Sequence, residues 1–310
     1  MTSIRTALPH ELPALLEYPD DAERNAGTRA YLGQLLDARC TRPEWCLVAD
    51  DGQGRLVGSV VLGTLPGQEI PYALVLFEAP DDGERIGGAL LDAAVAKARE
   101  LGAQELEHVV DSPAQAPQFQ RGPERRGELL RASGFRVVRD GRRFGLRVQG
   151  ELPPDDARLT FRSLADLGHE PFVALLADLL AETADARLAA DVERYGARRA
   201  AEQLFADTPE LEHEPQWREI GFDADGTPAV ISLPAVNPTV AVIGFVGVAP
   251  AHRGKGYAAS AVVRGTRILA ANGAEEFRGD CDGANTAMAK AFARAGYENF
   301  ADRLEFSRSL

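Results

Sequence analysis

The stretch "VGVAPAHRGKGYAAS" (residues 246–260) brings together residue types whose spacing can hold an anion. It opens apolar and β-branched, as a strand does, meets Pro250, crosses a basic turn and continues in small residues, as a helix start does. The working core is Arg253, Gly254, Lys255, Gly256, Tyr257 and Ala258. Glycines let the backbone turn tightly with no Cβ in the way of a ligand. The helix that follows offers unpaired N–H groups and the positive end of its dipole. With Arg253 and Lys255 adding charge, the stretch reads as a phosphate site.

Three kinds of phosphate loop compete for this reading. A Walker loop requires G-x-x-x-x-G-K-[ST], which the sequence does not supply. The dinucleotide fingerprint comes closer. Residues 254–259 fit G-x-G-x-x-A, and Glu275 and Glu276 lie where a ribose acid would. Against it, Pro250, Ala251, His252 and Arg253 separate the strand from the first glycine, and the residues up to Leu310 do not supply the further βαβ units such a domain needs. The third reading rests on a resemblance that extends to residues further along the chain.

The elements that must position this loop follow from the patterning. "QGELPPDDARL" (residues 149–159) is polar and acidic with a Pro-Pro pair, and reads as a linker. It places the expected domains at 1–150 and 151–310. In the second half "RLTFRSL" reads as a strand and the alanine-rich residues 168–207 as helical. "QWREIGFDADGTPAVISLPAV" reads as a hairpin with an Asp-Gly turn, and "TVAVIGFVGVAP" as a strand. A helix ending near Gly273, a short strand "EEFRGDC", a helix ended by Gly296 and a last strand "RLEFSRSL" complete the half. The first half repeats this order. "LFEAPDDGERIGGALL" occupies the slot of "GVAPAHRGKGYAASAV", and "LLRASGF" that of "AFARAGY". The chain reads as an α/β (α+β) unit duplicated and then diverged.

From Val246 onward the sequence resembles the GNAT superfamily of acyl-CoA-dependent N-acyltransferases. R-G-x-G-x-A at residues 253–258 matches the family's pyrophosphate loop, and "NTAMAKAFARAGY" (residues 285–297) resembles the helix after its fifth strand. The resemblance implies two tandem GNAT-like domains, each a mixed, mostly antiparallel sheet flanked by helices. It implies that Arg253, Gly254, Lys255, Gly256, Tyr257 and Ala258 bind the CoA pyrophosphate. A strand including Val246, Gly247 and Val248 would pair with the pantetheine arm, and Asn285 would lie near that arm. The implied activity is acetyl transfer from acetyl-CoA to a primary amine of a small molecule, by direct attack and without a covalent intermediate. A non-catalytic acyl-CoA-binding protein of the same fold is the alternative.

The chain departs from the family pattern in places. Phe292 stands in the donor-contacting slot where many members place a tyrosine acid, and has no proton to give. Tyr257, Tyr297, Ser260 and Cys281 are the other hydroxyl and thiol groups nearby. Glu219, in "QWREIGF", is the candidate base, with Asp280, Asp282, Glu212, His213 and Glu214 as further carboxylates and imidazole. For each of these the plain reading is a solvated strand-end or loop group. In the first half, Asp82 stands where Arg253 stands, and Glu84 and Arg85 where Lys255 and Gly256 stand. Asp81, Asp82 and Glu84 would repel a pyrophosphate by about 1–4 kcal/mol each, and Arg85 lacks the freedom of the glycine it replaces, so the first half is expected not to bind acyl-CoA.

Composition narrows the field further. The 310 residues are 45% hydrophobic and 26% charged with a net charge of −13. An acidic surface disfavours nucleic acid and anionic membrane as partners and suits an amine-bearing acceptor. Cys40, Cys46 and Cys281 are odd in number, and the five histidines include no pair four residues apart, so neither disulfides nor a metal is expected. No signal-like N-terminus or membrane-length apolar run is present, and a cytoplasmic location is expected.

Overall fold

The computed structural model describes residues 2–310 except 16, 19, 81–82, 149, 207–212 and 237–239. Asp81, Asp82 and Glu212 therefore lie outside the described residues. The chain divides into two compact units, one of residues 1–139 with 303–310 and one of residues 140–302. The boundaries fall at 139/140 and 302/303 rather than once at 150.

Unit 1 runs β1 (Ser3–Thr6), α1 (Ala22–Asp37), β2 (Cys46–Asp50), β3 (Leu56–Gly63), β4 (Ala73–Glu78), α2 (Glu84–Glu100), β5 (Glu105–Ser112), α3 (Pro123–Ala132) and the start of β6 (Arg136–Arg147). Unit 2 takes the rest of β6, then β7 (Thr160–Ser163), α4 (Leu164–Leu167), α5 (His169–Leu180), α6 (Ala186–Tyr195), α7 (Ala197–Ala206), β8 (Glu219–Phe222), β9 (Pro228–Val236), β10 (Ala241–Val248), α8 (Tyr257–Ala271), β11 (Glu276–Asp282), α9 (Thr286–Arg294) and the start of β12 (Glu298–Ser309).

In unit 1 the sheet order is β1-β2-β3-β4-β5 followed by the end of β12. The returning strand is fastened to β5 by the Leu310 N–H on the Gln104 carbonyl (2.8 Å) and by Arg303 on both oxygens of Asp111 (2.7 and 2.8 Å). Helix α2 buries Gly87, Leu90, Leu91, Ala94, Val95 and Ala98, the spacing of one helical face, against Phe77, Leu106 and Phe135.

In unit 2 the order is β7-β8-β9-β10-β11 followed by residues 140–147 of β6. Helix α8 buries Ala261, Val262, Gly265, Thr266 and Leu269, again one face. Helices α5 and α7 pack with Ile220, Ile231 and Leu233 in a separate core. The helical content expected for residues 168–207 is divided among α5, α6 and α7. Asp185 caps α6 by accepting from the N–H groups of Arg187 and Leu188, and Gly196 takes a positive φ before α7. Among the described residues no helix is long and apolar enough to cross a membrane.

Candidate acyl-donor site

The two units share a construction at their fourth and fifth strands. In unit 2, β10 and β11 run parallel but pair only at Ala241–Phe277 and Val242–Arg278. Beyond Val242 the two strands part, while β10 stays paired with β9 to Val248. A register skip between Ile243 and Phe245 makes Gly244 a β-bulge at the point of divergence. Gly244 is exposed although it lies inside a strand. The bulge was readable in principle, because a lone glycine in a strand pattern marks one.

From this open edge the chain passes through Val246, Gly247 and Val248 into the basic loop. A short 3-10 turn (Pro250–His252) ends at Arg253, and Gly254 and Gly256 follow with φ of +80° and +84°. A Cβ at either glycine would meet nothing within 4 Å, so it is the left-handed backbone, and not crowding, that demands glycine. Gly256 caps α8, whose first residues are Tyr257 and Ala258. His252 anchors the loop from behind, with Nε2 2.7 Å from Oδ2 of Asp223 in the β8–β9 turn. That hydrogen bond, with the Thr227 and Asp225 N–H groups, holds the Asp223 carboxyl below its ordinary range. Arg253 pairs with Glu182 at 2.8 Å, both side chains largely exposed. A surface pair of this kind contributes little and yields readily to a phosphate.

The other candidates fall into place around this loop. Asn285 caps α9 by accepting from the Met288 N–H (3.1 Å). Glu219 is buried, and its two carboxylate oxygens accept from Nε and Nη2 of Arg264 on α8 (2.7 and 2.8 Å). That bidentate pair ties β8 to α8. Phe292 is 2% exposed, stacked on Phe144 (centroids 4.9 Å apart, planes at 11°) and edge-on to Tyr297, so its ring packs in the core. Tyr297 is buried with its hydroxyl 2.7 Å from that of Thr266, and burial pushes its phenol well above the ordinary range. Cys281 lies in the same core. Asp282 accepts from the Ala186 N–H at the start of α6 (2.7 Å).

Unit 1 repeats the construction and fills it. Strands β4 and β5 pair only at Ala73–Glu107, and a register skip makes Val75 the bulge. Counting from the bulges, Phe77 corresponds to Val246. The Phe77 N–H donates to Oε1 of Gln120 (3.3 Å), whose Nε2 donates to the Val109 carbonyl on β5 (3.1 Å). The Phe77 carbonyl accepts from Arg126, which with Arg24 and Tyr18 also encloses Glu78. A side-chain amide thus bridges the parted strands of unit 1. The loop differs as well. Eight positions separate Val75 from Gly83, the cap of α2, against twelve between Gly244 and Gly256, and the φ of Gly83 is −107°. The shorter loop makes Gly83 the counterpart of Gly256 at the helix cap, where alignment of the two stretches had put Arg85. Glu84 opens α2.

His108 on β5 lies in this filled cleft. Its Nδ1 is 2.7 Å from the Leu74 carbonyl, and its Nε2 has no partner among the described residues. Burial pulls its pKa down to about 4, with Arg126 adding to the effect. The unfolded chain, with an ordinary histidine near 6.5, therefore binds more protons between those two values, so the stability conferred by neutral His108 is present above pH 6.5 and lost on acidification towards pH 4. Urea unfolding of wild type should show about 2 kcal/mol more loss between pH 7 and pH 5 than the H108Q variant does. Equal losses would mean that His108 is not the titrating group.

Residues 188–297 match the Acetyltransferase (GNAT) family. The whole chain is similar in fold to the GCN5-related N-acetyltransferase of Sphaerobacter thermophilus (TM-score 0.63, 15% identity, 99% of this chain and 95% of that one). It is also similar to the GCN5-related N-acetyltransferase of Kribbella flavida (TM-score 0.52, 17% identity, 91% and 95%). A third match is the glucosamine N-acetyltransferase region of a fungal multi-domain β-N-acetylglucosaminidase (TM-score 0.57, 16% identity, 99% and 38%). No curated protein matches the chain in sequence. The fold is thus that of tandem GNAT-like units.

Proposed function

We propose that unit 2 is an acyl-CoA-dependent N-acyltransferase and that unit 1 keeps the fold without taking an acyl-CoA. The observation that carries this is the open edge of β10 leading straight into a loop with two left-handed glycines at the start of α8. N–H groups of that loop, with Arg253 and Lys255, suit the CoA pyrophosphate. The edge through Val246, Gly247 and Val248 suits the amides of the pantetheine arm. The matching edge in unit 1 is already bridged by Gln120, which supports the division of roles.

The reaction would be direct. The amine nitrogen of the acceptor attacks the thioester carbonyl carbon, the C–S bond breaks, the sulfur leaves as thiolate, and the amine gives up a proton. Placement of the two reactants and polarisation of the carbonyl by a backbone N–H of β10 supply the catalysis. Acetyl-CoA as donor and a small primary amine as acceptor fit the family and the net charge of −13. A second reading, an acyl-CoA-binding protein without turnover, is favoured by Glu219 being held by Arg264 and by Phe292 lacking a proton.

One experiment separates the two. Calorimetry with acetyl-CoA should give one site per chain, and a panel of small amines should then release free CoA thiol from acetyl-CoA. One site with no release from any amine would favour the binding protein. Two sites would overturn the role given to unit 1, and no binding would overturn the whole reading.

A further inference from the structure

The acidic segment expected to be a linker is fastened along α8 from its middle to its start. Arg267 donates to the Pro153 carbonyl (3.1 Å), and Arg264, which also holds Glu219, pairs with Asp155 (2.8 Å). The Ser260 hydroxyl donates to Asp156 (2.6 Å). At the end of the segment, Arg158 lies across the Tyr257 ring, 4.8 Å from its centroid, and its Nη1 donates to the carbonyl of Lys255 (3.1 Å). Asp156 holds the same guanidinium through both oxygens (2.9 and 2.6 Å), and that pairing keeps its carboxyl far below the ordinary range.

The contact with Lys255 has a geometric effect on the loop. A trans peptide directs its C=O and its N–H to opposite sides, and among the described residues the cis bonds lie elsewhere, before Pro113 and Pro117. A Lys255 carbonyl turned towards Arg158 therefore turns the Gly256 N–H away from Arg158. Gly254 and Gly256, on either side of Lys255, have open space around them. With glycine at 256, nothing in the residue itself stops that peptide plane from flipping. Arg158 supplies the missing restraint from outside the loop.

We propose that Arg158 is a positioning residue for the donor: it fixes the Lys255–Gly256 peptide so that the Gly256 N–H is held ready for the donor's pyrophosphate. The inference rests on the acyl-CoA reading of unit 2. It concerns only the diphosphate end of the donor, so a donor lacking that end is the discriminating probe.

The test compares wild type with R158A by titration with acetyl-CoA and with S-acetylpantetheine, which has the thioester and amides but no pyrophosphate. R158A should weaken acetyl-CoA about fivefold, the worth of one hydrogen bond that no longer orients the loop, and should leave S-acetylpantetheine within twofold. R158K, which keeps one donor for the Lys255 carbonyl, should recover part of the loss. Melting of each variant within about 2 °C of wild type would show that the fold is intact. Unchanged acetyl-CoA affinity in R158A, or an equal loss with both probes, would overturn the proposal. Failure of wild type to bind acetyl-CoA would instead overturn the reading beneath it.

Discussion

Replacing Gly256 by glutamate should abolish acyl-CoA binding while the chain stays folded. Two effects act together. Gly256 has φ +84°, and an L residue there costs about 1–2 kcal/mol. The new carboxylate also brings negative charge to the loop in which a pyrophosphate would be held, removing charge-assisted hydrogen bonds worth about 1.5–3 kcal/mol. The free loop can shed the strain by leaving the left-handed conformation, which binding must restore, so the two terms together correspond to about a hundredfold or more in affinity. G256A separates the terms, since it adds strain without charge and should cost about tenfold. The Cβ that either variant adds meets nothing within 4 Å. Calorimetric titration with acetyl-CoA reads the result. G256E binding as tightly as wild type would remove the loop from the donor site.

The second large effect is on stability. F292A should destabilise the fold by about 3–5 kcal/mol, the range for truncating a buried phenylalanine. The ring is stacked on Phe144 and set against Tyr297. A Cβ at Gly279 would lie 2.5 Å from it, so the neighbouring strand is already in close contact. F292L keeps most of the volume and should lose far less. Urea unfolding measures both. Because the ring is a packing element, F292L should bind acetyl-CoA as wild type does, and a specific loss of donor affinity in that variant would return Phe292 to the donor site.

The loop and the order of elements around it were legible because their signals are local. Glycine pairs, a proline, basic residues and alternating strands occupy adjacent positions. What was not legible depends on distant partners. Helix α1 carries little apolar periodicity. It is held by Arg24 on Glu78, 54 residues away, and by the close approach of Gly27 to the Phe119 ring. Strand β1 is four residues long and is defined by pairing with β2. The role of Glu219 looked open from its position on a strand, since nothing near it in sequence announces Arg264. Arg158 and Gln120 are ordinary polar residues in loops, and only the fold brings one to the Lys255 carbonyl and the other between two parted strands. The domain boundary at the Pro-Pro segment was a reasonable reading of composition, but composition says nothing of strand pairing, which divides β6 and β12 between the units.

That division bears on how the chain is made. Unit 1 draws on residues 303–310 to cover the outer edge of β5, yet residues 140–302 are synthesised in between. At the pace of a ribosome this is a delay of about 10 to 30 seconds. Throughout it, the nascent first unit carries an uncovered strand edge of the kind that invites pairing with another chain. Unit 2 needs nothing made after residue 302, so the half that was begun last can be the first to close.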